Sequence, residues 1–261
     1  MSEEDFWAPL KNLTRARIAL GRAGGSLPTK AWLSFRLAHA KARDAVYRDL
    51  DFDFVESVLF KAGIKIITVS SLTSGHQDFL RRPDRGRALS EESHSKLCSL
   101  AIRGQEVAKS DGKVKLRIAL VLSAGLSATA AMSNGPALVV ALVPEFLKMG
   151  LDVLPVSIVR FGRVGLGDCI GEALKADVAV VLVGERPGLD TAESLGVYIT
   201  YRPGPNSSDA DRNCVSNIHN NGLSIAAAVH KISWLVASAI NLRKSGVALK
   251  EDSSGQVPLI R

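Results

Sequence analysis

The six residues Val178-Ala179-Val180-Val181-Leu182-Val183 carry no polar side chain between them. A run so short and so rich in β-branched residues fits a strand covered on both faces, as in a parallel sheet with helices packed on either side. Other segments read as its neighbours. Leu116 to Leu122 is strand-like and leads through Ser123-Ala124-Gly125-Leu126 into an alanine-rich helical stretch. Asp152 to Val159 reads as one strand, followed by the glycine-punctuated text RFGRVGLGDCIGEALKA, and Ser194 to Tyr201 reads as another. From Leu223 to about Leu242, Ile225, Val229, Ile232, Val236 and Ile240 make one stripe of a helix, widened by Leu235 and alanines. Strands alternating with helices predict an α/β fold, a mainly parallel Rossmann-like sheet flanked by helices.

The N-terminal part reads differently. Residues 1–114 predict a helical region, 115–247 the α/β domain, and 248–261 a loose polar tail. Ser26-Leu27-Pro28 offers a hydroxyl cap and a proline suited to a first helical turn. After it Ala31, Phe35, Ala38, Ala42 and Ala45 recur on one helical face. Ile64-Lys65-Ile66-Ile67 is ambiguous between a helix end and a strand. Ser90-Glu91-Glu92 opens another helix, with carboxylates where the positive end of the macrodipole favours them.

Charge and composition narrow the function classes. The net charge of +7 sits in the N-terminal part: 21 Lys+Arg face 14 Asp+Glu through Arg117, and 12 face 12 thereafter. That surplus reads either as a surface for an acidic partner or as an ordinary solvated face. Aromatics are only 5% and do not interleave with basic runs, so no nucleic-acid platform is expected. The three cysteines, Cys98, Cys169 and Cys214, have no close spacing, which fits a reducing compartment rather than a disulfide framework. The acidic start MSEEDFW lacks a secretory pattern, and no apolar run reaches the roughly 18–20 residues of a membrane span. A cytoplasmic protein without membrane contact is the expectation.

Three glycine-containing loops follow predicted strands: Ser123 to Ser127, Gly162 to Asp168 and Gly184 to Leu189. Ligands of such sheets bind beyond the carboxyl ends of the strands. Glycine there lets backbone approach a ligand, though tight strand-to-helix turns ask for the same residues. Gly165-x-Gly167 with Gly171 is not the dinucleotide fingerprint, because its last spacing is one residue too long. Glu185-Arg186, directly after the valine-rich strand, stands at the sheet rim, where the carboxylate accepts bonds from a ligand's amides or forms a salt bridge. Asp209-x-Asp211-Arg212-Asn213-Cys214 reads as a helix cap with a polar loop, or places Cys214 against a ligand. No His spacing suits a metal, and neither a nucleophile elbow nor a P-loop is present. The residues therefore give an α/β protein with a ligand face and no evident catalytic or metal-binding group.

Taken together, these segments resemble the ethanolamine ammonia-lyase small (light) subunit family. The matching text is ARIALGRAGGSLPTKAWLSFRLAHAKARDAV at Ala16 to Val46 and RPDRGRALS at Arg82 to Ser90. It continues as GRVGLGDCIGEAL at Gly162 to Leu174, VVLVGERPGL at Val180 to Leu189, SLGVYITY at Ser194 to Tyr201, DADRNCVSNI at Asp209 to Ile218, and GLS at Gly222 to Ser224. The resemblance implies a hetero-oligomeric lyase that converts ethanolamine to acetaldehyde and ammonia with adenosylcobalamin. It implies a large partner subunit, a TIM-like barrel that holds the substrate, with cobalamin lying between the subunits. The small-subunit contacts it implies fall on Val164, Glu185 and Cys214, which makes 115–247 the cobalamin-contacting domain. Some family members enter bacterial microcompartments by an N-terminal extension, whereas this chain starts almost directly in the shared region. The chain departs from the family at Ala124, where an acidic residue is usual, at Cys169, where glutamate is common, and in the Arg202 to Ser208 loop. Two other readings stay open: a scaffold of the same fold without cofactor, and a stand-alone nucleotide-binding enzyme.

Overall fold

The apolar runs lie side by side as strands in the computed structural model, which describes residues 7–14, 16–110 and 115–260. The chain opens with α1 (Ala8–Leu13), α2 (Thr29–Tyr47) and α3 (Phe52–Lys61), then β1 (Ile66–Thr68), α4 (His76–Arg81) and α5 (Glu91–Ser110). Next come β2 (Arg117–Ser123), α6 (Ala128–Lys148), β3 (Asp152–Val153), β4 (Val156–Val159), α7 (Leu166–Ala173) and β5 (Val178–Gly184). The chain closes with β6 (Leu195–Tyr201), β7 (Arg212–Ile218) and α8 (Ile225–Leu242).

The strands form one sheet in the order β1-β4-β2-β5-β6-β7, with β3 beside β2. The pairs β1–β4, β2–β4, β2–β3 and β2–β5 are parallel, while β5–β6 and β6–β7 are antiparallel. Every residue of β5 is buried, as its composition demands. Side chains alternate between two cores. Ile118, Leu120 and Leu122 point with Val180 and Leu182 into the layer of α6 and α8. Ala119, Val121 and Val181 point into the layer of α7, whose Ile170 and Ala173 are buried there. The helix after β2 thus covers one face and the helix after β4 the other, which opens a crevice at the carboxyl ends of these strands.

Several sequence expectations change. Ile66–Thr68 resolves the ambiguous stretch as a strand, and it joins the same sheet as the strands beyond residue 115. The segment Asp152 to Val159 is two short strands rather than one. They flank Leu154-Pro155, and a proline has no N–H to give a ladder. Ser26 does not cap α2: it bridges to Ala23, and Pro28 takes the N-cap position without a side-chain bond. Ser90 does cap α5, accepting from the Ser93 N–H at 3.3 Å. Cys214 stands on β7 and not in a polar loop. Only the turn Asp209–Asp211 before it is irregular, closed by a capping box from Ser208.

Among the described residues two helices, α6 and α8, are long and apolar enough to cross a membrane by length and composition, which corrects the expectation that no such run exists. Their apolar length has another cause here, since Leu138, Leu142, Ile232 and Val236 are fully buried against the sheet. Residues after α8 run back along it. The Asn241 amide donates to the Leu259 carbonyl at 2.8 Å, Lys231 pairs with Glu251 at 2.9 Å, and Ile260 packs on the core.

Candidate functional site

Three loops meet at the carboxyl end of the sheet because backbone there packs directly on backbone. Gly125 has φ +55°, and a Cβ on it would fall 2.4 Å from the Gly184 carbonyl oxygen. Only glycine satisfies both conditions at once. The Leu126 N–H donates to that carbonyl at 2.9 Å, joining the loop after β2 to the end of β5. The Ser123 hydroxyl donates to the Gly162 carbonyl at 2.8 Å, joining the same loop to the one after β4. At its start α6 anchors the third loop. Ser127 accepts from the Ala130 N–H as N-cap and donates to the Ala192 carbonyl at 2.6 Å. The Asn134 amide donates to the Glu193 carbonyl at 2.8 Å. Three polar side chains at the end of β2 and in α6 thereby fix the loops that follow β4 and β5.

These loops enclose an open cleft of about 380 Å³, lined by Gly125, Leu126, Arg163, Val164, Val183, Gly184, Glu185, Arg186 and Tyr198. That is near the low end for small-molecule pockets, roughly 300–1,000 Å³. A broad flat ligand would lie against it rather than inside it. Val164 is half-buried and packs on the α7 core, so it presents a fixed apolar surface. Glu185 accepts from the Ser194 hydroxyl at 2.8 Å through one oxygen. Its other oxygen lies over Gly196, where a Cβ would come within 2.5 Å. The carboxylate is held in place yet keeps acceptor capacity, and it has no cationic partner among the described residues.

Tyr198 extends the site to the next strand. Its Cα is the register partner of Cys214 across the β6–β7 ladder. Burial pushes its phenol well above the usual range, helped by the neighbouring Cys214 thiol and then by Glu185. Cys214 is exposed on the strand. The protein atoms beneath still raise its thiol pKa by desolvation, against the lowering effect of its bond to Tyr198. Val164 and Glu185 therefore share one cleft, while Cys214 is outside its lining but tied to it through Tyr198.

Arg163 is the most constrained cation at the cleft. Its guanidinium stacks 4.2 Å above the Phe79 ring and donates to the Phe79 carbonyl at 2.9 Å. Its backbone N–H donates to Gly86, where a Cβ would come within 2.9 Å of the Arg163 Cγ. Its Nε is buried without a partner among the described residues. Burial first, and the nearby Arg87 charge second, push its pKa down.

Behind the cleft lies an ion pair between Asp168 of α7 and Arg212 at the start of β7, their side chains only 9% and 6% exposed. It ties the helix that follows the Val164 loop to the strand that carries Cys214. Burial raises the Asp168 pKa, with Arg212 acting in the opposite direction. Cys169, where the resembled family commonly has glutamate, donates its thiol to the Arg87 carbonyl at 3.4 Å. Among the described residues no three His, Cys, Asp or Glu side chains gather as a metal site would need.

Sequence reasoning missed Tyr198, Arg163 and the Asp168–Arg212 pair. Arg163 had a signal, a lone cation between glycines after a strand. Tyr198 had a weaker one, a hydroxyl among the apolar residues of β6. The ion pair had none, because its members are 44 positions apart.

Comparison with known proteins adds an independent finding. Residues 4–250 match the family model described as ethanolamine ammonia-lyase light chain (EutC). The ethanolamine ammonia-lyase small subunit of Rhodopseudomonas palustris (strain BisA53) is 44% identical over 244 residues, covering 94% of this chain and 89% of that protein. The protein of the same name from Xanthomonas campestris pv. campestris (strain B100) is 43% identical over 249 residues, covering 95% and 89%. That from Bradyrhizobium diazoefficiens is 42% identical over 250 residues, covering 95% and 92%.

Proposed function

This chain belongs to the ethanolamine ammonia-lyase light-chain family, and on that premise we propose that its cleft forms one wall of an adenosylcobalamin site completed by a large subunit. Bound there, the cofactor supplies cobalt–carbon homolysis, a step for which protein side chains have no equivalent. The residues present fit a corrin, which has a broad apolar face and a rim of amides. Leu126, Val164 and Val183 supply apolar wall, while Glu185 keeps a free acceptor oxygen and Arg163 a buried donor without a partner. The observation that carries the reading is this clustering: apolar and hydrogen-bonding groups converge on one rim, and the cleft is too shallow to enclose a ligand unaided.

In this reading Val164 packs against the corrin, Glu185 accepts from rim amide N–H groups, and Cys214 beside Tyr198 fills a close contact. Residues 115–247 carry those contacts, the tail 248–261 none, and the N-terminal helical region to residue 114 faces the partner. Exposed Trp32, Leu33, Leu37 and Tyr47 on α2 support a partner, since large apolar groups gathered on one helix suit an interface. Neither nucleic acid nor membrane has a part in it. A cytoplasmic setting agrees with three cysteines free of disulfides; entry into a microcompartment is a separate property of some relatives' N-terminal extensions.

The test is co-expression with a large subunit of the family. Co-purification and acetaldehyde release that needs both chains and adenosylcobalamin are the expected results. In that complex Glu185→Ala should weaken cobalamin binding by about 1.5–3 kcal/mol, roughly ten- to hundredfold, as for a bond to a charged group. Unchanged affinity rejects the role of Glu185. Co-purification with no cobalamin retained at all favours the scaffold reading instead.

A further inference from the structure

Arg163 and Arg186 both line the cleft, and among the described residues neither is paired with a carboxylate. The third arginine nearby, Arg87, packs its side chain beside Gly165 and has only a loose 4.0 Å pairing to exposed Asp209. An excess of cations at a ligand face, one of them desolvated and immobilised, has a cost that an anion would offset. Arg163 cannot swing away to find one in solvent, because Phe79, Gly86 and the Phe79 carbonyl fix it. Just beyond it α7 begins at Leu166 with Gly165 as N-cap and no side-chain cap bond, so the positive end of that helix adds to the same field. A guanidinium held in place at a cleft, with one nitrogen committed to the Phe79 carbonyl and charge to spare, is suited to a charge-assisted bond from its remaining N–H groups to a tetrahedral oxyanion.

From this geometry we infer that Arg163, assisted by Arg186, binds the phosphodiester of the nucleotide loop of cobalamin, so that the cleft reads the cofactor's one negative group as well as its corrin. The inference rests on the cobalamin reading above and adds which part of the cofactor faces which end of the cleft. Glu185 and the arginines then divide the labour, the carboxylate taking amide donors and the guanidinium groups taking the phosphate. Holding the phosphate orients the macrocycle, because the loop leaves the corrin at a single edge.

Three ligands separate the possibilities when their dissociation constants are measured by absorbance titration of the reconstituted two-subunit complex. They are cobalamin, cobinamide, which lacks phosphate and nucleoside, and cobinamide phosphate, which lacks only the nucleoside. Arg163→Gln should weaken cobalamin and cobinamide phosphate by about tenfold or more, as for loss of a charge-assisted pair, and leave cobinamide within about twofold. Unchanged cobinamide binding also reports that the variant is folded. Arg186→Gln, at an exposed position, should show the same selectivity with a smaller loss. If Arg163→Gln weakens all three equally, or spares cobinamide phosphate while weakening cobalamin, the phosphate assignment is overturned. If the wild-type complex binds none of the three, the cobalamin reading falls and this inference with it.

Discussion

Replacing Asp168 by alanine would leave the Arg212 guanidinium almost sealed from water beside an empty space. Arg212 is 6% exposed at its side chain, and its Nε already lacks a partner. Breaking a buried pair by removing one member costs about 3–5 kcal/mol, because the remaining charge has neither solvent nor counterion. Here one compensation exists: Arg212 Nη1 keeps its 2.7 Å bond to Asp209. That carboxylate is 79% exposed, so it offsets little. The expected cost is therefore near the low end, about 3 kcal/mol. With a urea slope of about 3 kcal/mol/M, the denaturation midpoint should fall by roughly 1 M at unchanged slope. Equilibrium unfolding of the purified chain, followed by circular dichroism, measures this directly. Asp209→Ala serves as the control and should cost less than about 1 kcal/mol. A midpoint for Asp168→Ala within about 0.2 M of wild type would refute the account, as would an equal loss from the Asp209 variant. Either result would mean that water or chain rearrangement solvates Arg212 in a way its burial forbids.

Two further outcomes follow from other parts of the structure. Gly125→Ala forces a side chain into a left-handed conformation, about 1–2 kcal/mol, and drives its Cβ onto the Gly184 carbonyl. The sum should exceed about 2 kcal/mol, and under the function proposed above cobalamin binding would be lost as the loops part. Gly204→Ala, where a Cβ meets nothing within 4 Å, should change little, and similar unfolding curves for the two variants would contradict the loop-crossing argument. Glu251 is held down at about 2, chiefly by the Ser253 hydroxyl and then by Lys231. Its folded pKa is depressed, so its contribution is complete above the unfolded value of about 4.3 and is lost as pH falls toward 2. Hydrogen-exchange protection in residues 249–260, taken against the intrinsic rate at each pH, should fall across that window, and Glu251→Gln should show the lost protection at neutral pH. Equal exchange in wild type and variant at pH 7 would show that the tail is held by something else.

Much of the architecture was readable because burial on two faces leaves a mark in a strand's own composition. Val178 to Val183 announces a strand covered on both faces with no reference to its partners, although only its β2 side proves parallel, and the stripe of α8 announces which side it buries. The three loops at the carboxyl end of the sheet were legible for a related reason: glycine is required where backbones touch, as at Gly125 and Gly184. Membership of a family, carried by motifs spread along the chain, was also within reach of the sequence.

What the tertiary structure decided is wherever distant segments supply the energy. Residues 212–218 hold only two buried apolar side chains, Val215 and Ile218, and their polar text favours a turn. They become β7 because β6 offers a free ladder edge, so pairing overrides local preference and carries Cys214 from the expected loop onto a strand beside Tyr198. The single run Asp152 to Val159 divides because Pro155 cannot donate to a ladder: Asp152–Val153 pairs with β2 alone, while Val156–Val159 lies between β1 and β2. The loneliness of the Arg163 charge belongs to the same class. A one-dimensional string names an arginine, but only packing shows that Phe79 and Gly86 immobilise it and that no carboxylate among the described residues meets it. Local residue chemistry determined the elements and their faces; pairing and packing between segments far apart in the chain determined which side chains share the cleft.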